Sequence, residues 1–124
     1  HCGITVRCNR AVTGRELIEE NEAIAICDYP RYQLWDFSNA TSVSAMAADI
    51  HQLALQDSTI PRSANLAAIL FVGENERVIE LVRAYELLSA DWVGRQRRYQ
   101  TKLFATLDEA RGWLQAELGI ANVE

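Results

Sequence analysis

Seven consecutive apolar residues, Leu66-Ala67-Ala68-Ile69-Leu70-Phe71-Val72, constrain this chain more than any other stretch. The run is far shorter than the roughly 20 residues that a membrane-spanning helix needs. Turn signals bound it, with polar Ser58–Asn65 (containing Pro61) before it and Gly73-Glu74-Asn75 after it. A short unbroken apolar run between turns suits a central parallel strand buried on both faces. A parallel strand needs a crossover connection, so the rest of the chain should alternate strand and helix.

It does. Gly3–Cys8 alternates, placing Ile4, Val6 and Cys8 on one side and Thr5, Arg7 and Asn9 on the other, as a strand with one buried face would. Thr13-Gly14-Arg15-Glu16 has the spacing of a capping box. A helix then runs to about Ala25, with Leu17, Ile18, Asn21 and Ile24 as its inner row and Glu19, Glu20 and Glu22 outside; Asp28-Tyr29-Pro30 ends it. Tyr32–Phe37 is aromatic-rich and too short for an ordinary helix, so it reads as a buried strand. Ser38-Asn39-Ala40-Thr41-Ser42 supplies turn formers and helix N-caps. Val43, Met46, Ala47, Ile50, Leu53 and Ala54 then recur at helical spacing.

After the central run, a helix is expected over about Glu76–Ala90, with Val78, Leu81, Val82, Tyr85 and Leu88 inward. Asp91–Arg98 reads as a loop and Tyr99–Ala105 as the last strand. Thr106-Leu107-Asp108-Glu109 forms a second capping box, opening a helix that buries Leu107, Ala110, Leu114 and Leu118 and stops at Gly119. One α/β domain over all 124 residues follows, with a mostly parallel sheet.

Composition narrows the function. The net charge of −5 argues against a general nucleic-acid binder, whose usual footprint is basic. Three cysteines without CxxC spacing point to free thiols in a reducing, cytoplasmic compartment. No charged-then-apolar leader is visible, and the start at His1, with Met46 the one methionine, reads as trimmed.

The chain resembles the small bacterial SpoIIAA-like proteins, relatives of the STAS domains that act as anti-sigma-factor antagonists. The resemblance runs from about Ile4 to Leu118 and is carried by ITVRCNRAVTGREL, LWDFSNATSVS, LAAILFVG, ERVIELVRAYELL and LFATLDEARGWL. It implies a mostly parallel or mixed sheet of about four to five strands, in an order that is not simply sequential. About four helices would pack mainly on one face. In the STAS regulators a serine at a helix N-terminus is a phosphorylation switch, set in a strand ending Asp-Leu-Ser and then Asp-Ser-Ser-Gly. Here Trp35-Asp36-Phe37-Ser38 resembles the first part. In ungapped register Ser44 takes the place of the second aspartate and Ala45 that of the switch serine, and the glycine is absent.

Five residues of the middle stretch are thus the regulatory or ligand-proximal candidates: Asp36, Ser38, Thr41, Ser42 and Ser44. Asp36 can act as an acid, a base or an acceptor of backbone N–H bonds from the following turn. A wider apolar surface than one contact needs is expected at Ala48, His51 and Leu55 of one helix and Ile79 and Leu87 of another. Inter-helix packing, a homodimer contact, or an apolar ligand or membrane surface would each use it. Arg95, Arg97, Arg98 and Lys102, flanked by Trp92 and Tyr99, form a basic cluster suited to an anionic partner or to blunting an edge strand. A catalytic base at His51, a zinc site at His1, Cys2 and Cys8, and a phosphate loop at Gly73–Glu76 all lack the expected pattern. The expectation is a non-enzymatic module without metal or cofactor, acting through a protein partner or as a homodimer. The alternative is a carrier of a lipid-like ligand, peripheral to the membrane.

Overall fold

The computed structural model describes residues 3–24, 30–58, 66–92, 95–96 and 99–121, with only the backbone of 91–92 and 95–96. Its four-stranded sheet consists of β1 (Gly3–Arg7), β3 (Tyr32–Asp36), β5 (Ala68–Val72) and β8 (Gln100–Phe104), all parallel. The strands stand in the order β1-β3-β5-β8, the order of the chain. The non-sequential order implied by the resemblance is therefore not found in this sheet.

Sequential order explains where the helices lie. Each crossover steps the same way along the sheet, and right-handed crossovers then deliver every connecting helix to one face. The connecting helices are α1 (Gly14–Ile24), α2 (Ala47–Asp57) and α3 (Glu76–Ser89). All three pack on Trp35, Phe37, Ile69 and Phe71 through Leu17, Ile50, Leu53, Val78 and Leu81, among others. The last helix, α4 (Leu107–Leu118), follows the final strand, is no crossover, and covers the opposite face. There Ala110 and Leu114 meet Leu34, Ala68, Leu70 and Val72. Strand alternation thus supplies two cores, and every residue of β3 and β5 is buried.

The first expected capping box forms in full, and of the second the threonine half forms. The Thr13 hydroxyl accepts from the Glu16 amide (3.2 Å) while Glu16 accepts from the Thr13 amide (3.1 Å). Thr106 accepts from the Glu109 amide at 3.3 Å. Gly119 closes α4 with φ of 68°, the left-handed value that favours glycine. Gly3 is needed for a different reason: the Tyr32 ring on the neighbouring strand lies where its Cβ would stand.

Several elements differ from expectation. Ser42 and Ser44 do not cap a helix; Ser42–Ser44 is β4, paired in parallel with β2 (Ala11–Thr13) in a small separate sheet. Helix α2 begins only at Ala47, so Val43 is a buried strand residue, while Met46 and Ala47 are exposed rather than inward. The loop expected at 91–98 contains a short antiparallel pair, β6 (Asp91–Trp92) and β7 (Arg95–Gln96). Leu88, expected in the core, is 37% exposed, and Ser89 is buried instead. Among the described residues, no helix is long and apolar enough to cross a membrane.

Candidate functional site

Parallel α/β sheets present ligand sites beyond the carboxyl ends of their strands, where the following helices begin. Here that end carries an open groove of about 890 Å³, bounded by the β2–β4 pair and the first turns of α1, α2 and α3. Ala45, Ile50, Leu81 and Ala84 give it an apolar floor. Thr41, Ser42 and Ser44 bring hydroxyls to the rim, Arg15 and Arg77 bring cations, and Asp49 and Glu80 bring carboxylates. Met46 stands at its mouth with 75% of its surface exposed.

Local chemistry fixes this rim. Asp49, in the first turn of α2, accepts from the Met46 amide at 3.0 Å, tying the entering chain to the helix. The same carboxylate lies against Gly14, at the start of α1, where any Cβ would collide with it. Asn75 caps α3 by accepting from the Arg77 amide at 2.8 Å. Arg77 also approaches Glu80 at 3.5 Å, and Arg15 approaches Glu19 at 3.7 Å. These are exposed pairs of small energetic value.

The structure divides the five candidates of the middle stretch. Thr41, Ser42 and Ser44 line the groove; Asp36 and Ser38 do not. Asp36 is buried, and its Oδ1 accepts from the Ser38 amide (3.0 Å) and the Ser38 hydroxyl (2.5 Å). It closes the turn after β3, as the acceptor reading expects.

The apolar candidates also separate. Ala48, His51 and Leu55 lie exposed on α2, with Leu55 at 47%, and Leu87 on α3 is 80% exposed. Inter-helix packing therefore does not account for them; only Ile79 is half-buried. Of the basic cluster, Lys102 is exposed on β8. Arg97 and Arg98 lie outside the described residues, as do Cys2, Cys27 and His1, and Arg95 is described by its backbone alone.

A buried polar chain escaped the sequence reading. Asp57, at the end of α2, is 2% exposed. Its Oδ1 accepts from Asn21 Nδ2 of α1 (3.1 Å) and its Oδ2 from the Tyr85 hydroxyl of α3 (2.5 Å). The Tyr99 hydroxyl lies 2.5 Å from that of Tyr85. Tyr85 has one proton and gives it to Asp57, so Tyr99 must donate to Tyr85. Burial and then the nearby Asp57 charge push the Tyr85 phenol well above its ordinary range. An adjoining cavity of about 20 Å³ has room for one water. The available signal was Asn21 in an otherwise apolar inner row, with Asp57 a helical repeat beyond Ile50, Leu53 and Ala54.

Comparison with known proteins finds no protein family, no curated protein and no solved structure that matches this chain.

Proposed function

We propose that this chain is a non-catalytic regulatory or interaction module of the SpoIIAA-like, STAS-like type, working in the cytoplasm through a protein partner or as a homodimer. The carrying observation is Met46, a large flexible apolar side chain left in water at the mouth of an apolar-floored groove. Such exposed thioethers suit protein-binding surfaces because they repack against varied partners. Leu55 and Leu87, outside the groove lining, are further large apolar side chains left exposed. Among the described residues, the groove lining offers hydroxyls but no histidine to activate one, which supports a binding role over an acyl-transfer role.

One observation favours a second reading, the carriage of a lipid-like ligand. At about 890 Å³ the groove falls within the size range of small-molecule sites. The ligand would lie in this open groove, because the core cavity of about 20 Å³ is far too small for it.

Native mass spectrometry separates the two. The module reading expects paired chains or a chain–protein complex, weakened when Met46→Lys or Ala84→Arg alters the groove. A monomer that retains a small apolar molecule, lost in Ala84→Arg, would replace it with the carrier reading.

A further inference from the structure

The amino-terminal strand offers a second surface, away from the groove just described. Among the described residues, β1 is the edge of the four-stranded sheet and pairs with β3 alone. The Cys8 amide donates to the Asp36 carbonyl of that neighbour at 2.9 Å. Backbone polar groups alternate sides along a strand, so those of Gly3, Thr5 and Arg7 point away from β3. Natural edges are blunted by inward charges, proline or bulges. Ile4-Thr5-Val6 has none of these, the register of Gly3–Arg7 with β3 is unbroken, and the one charge of the strand is the exposed Arg7 at its end.

A groove of about 460 Å³ runs along this edge. Its floor includes Ile4, Val6 and Leu17, and its wall is the α1 stripe Glu16, Glu19, Glu20 and Ala23, spaced to share one helix face. Arg10 engages Glu16 at 2.5 Å and Arg15 approaches Glu19 at 3.7 Å, and the lining holds three carboxylates, Glu16, Glu19 and Glu20, against two cations, Arg7 and Arg10.

We infer that β1 accepts an added fifth strand from a partner protein, an extended segment carrying Lys or Arg at alternate positions. The aliphatic stems would lie over Ile4 and Val6, and the charged heads would reach Glu19 and Glu20. Main-chain bonds to the edge would supply affinity and the alternate side chains selectivity. A second copy of this chain fits less well. Two-fold pairing about Thr5 would set two acidic α1 walls facing each other, and facing like charges oppose association.

The test uses an end-blocked Lys-Val-Lys-Val-Lys-Val-Lys peptide, its Glu-Val counterpart, and fluorescence anisotropy on the whole protein. The basic peptide should bind at least about tenfold more tightly than the acidic one, with affinity falling as salt rises. Thr5→Pro removes an outward amide while sparing the bonds to β3. It should weaken binding by more than about tenfold with circular dichroism unchanged. If Thr5→Pro impairs folding, Glu19→Gln/Glu20→Gln serves instead and should weaken binding and flatten its salt dependence. Equal binding of the two peptides, or indifference of the basic peptide to these changes, overturns the inference. So does a dimer of the free protein that Thr5→Pro dissolves, since the edge would then serve a second copy. Met46→Lys should leave peptide binding unchanged, which keeps this surface distinct from the carboxyl-end groove.

Discussion

Tyr85 shows how much of this protein rests on single side chains. Its hydroxyl donates to Asp57 Oδ2 and links Asp57 to Tyr99. Removing a donor from a buried acceptor costs about 1–3 kcal/mol, and more when the acceptor is charged. Tyr85→Phe should lower the unfolding free energy by at least that much in urea titration. A loss below about 0.5 kcal/mol would mean that Asp57 is satisfied without it. Cys8 makes a different residue-level prediction. Burial first, then the Glu20 and Asp36 carboxylates, pushes its thiol from an ordinary 9.0 to about 11. With Cys2 and Cys27 changed to serine, alkylation of native Cys8 at pH 8 should run about a hundredfold slower than that of an unperturbed thiol. The raised value also sets a sign. The folded state holds the thiol proton more tightly, so its contribution is intact below about pH 9 and is lost as pH rises through about 11. Cys8→Ala should flatten that alkaline decline in melting temperature; an unchanged slope would show that Cys8 is not its source.

Among the elements, the start of α2 is the least conventional. Asp49 caps it from inside its own first turn, packed against Gly14 of α1, so one contact joins two helix N-termini on the groove rim. Gly14→Ala should displace Asp49 and cost about as much as Asp49→Ala, roughly 1 kcal/mol for a lost cap. The double variant should cost little more than either alone. Full additivity in thermal unfolding would refute the shared contact. The same region shows why some elements were legible in sequence and others were not. The four main strands and four helices carried long periodic patterns, apolar runs or capping boxes, and the structure contains them all among its described residues. The three-residue strands β2 and β4 are too short to show a period. Their Ser and Thr residues gave the same signal as helix caps, which drew the expected start of α2 too far toward Val43. The groove was half legible, since Thr41, Ser42 and Ser44 were singled out and do line it. Arg15, Arg77, Glu80 and Ala84 reach it only through the packing of three helices, which no local pattern records.

At the scale of the whole molecule, one sheet separates two cores of unequal cover. Three helices seal one face, while the other relies on α4 together with Ile120. The two cores share a backbone, because alternate residues of β3 and β5 serve opposite faces. Loosening the α4 face should therefore weaken the three-helix face as well, through the strands themselves. Leu114 is fully buried against that face, so Leu114→Ala should cost about 2–5 kcal/mol. The native tryptophans report the two sides separately: Trp35 lies in the first core, and Trp113 packs by Phe104 on the second. In a Trp92→Phe background, single-tryptophan variants retaining either Trp35 or Trp113 should unfold in urea with coincident midpoints. Leu114→Ala should move both midpoints by the same amount. If the Trp113 signal fell at lower urea while Trp35 held its position, α4 would be a separately melting flap, and the shared-strand account of cooperativity would be wrong.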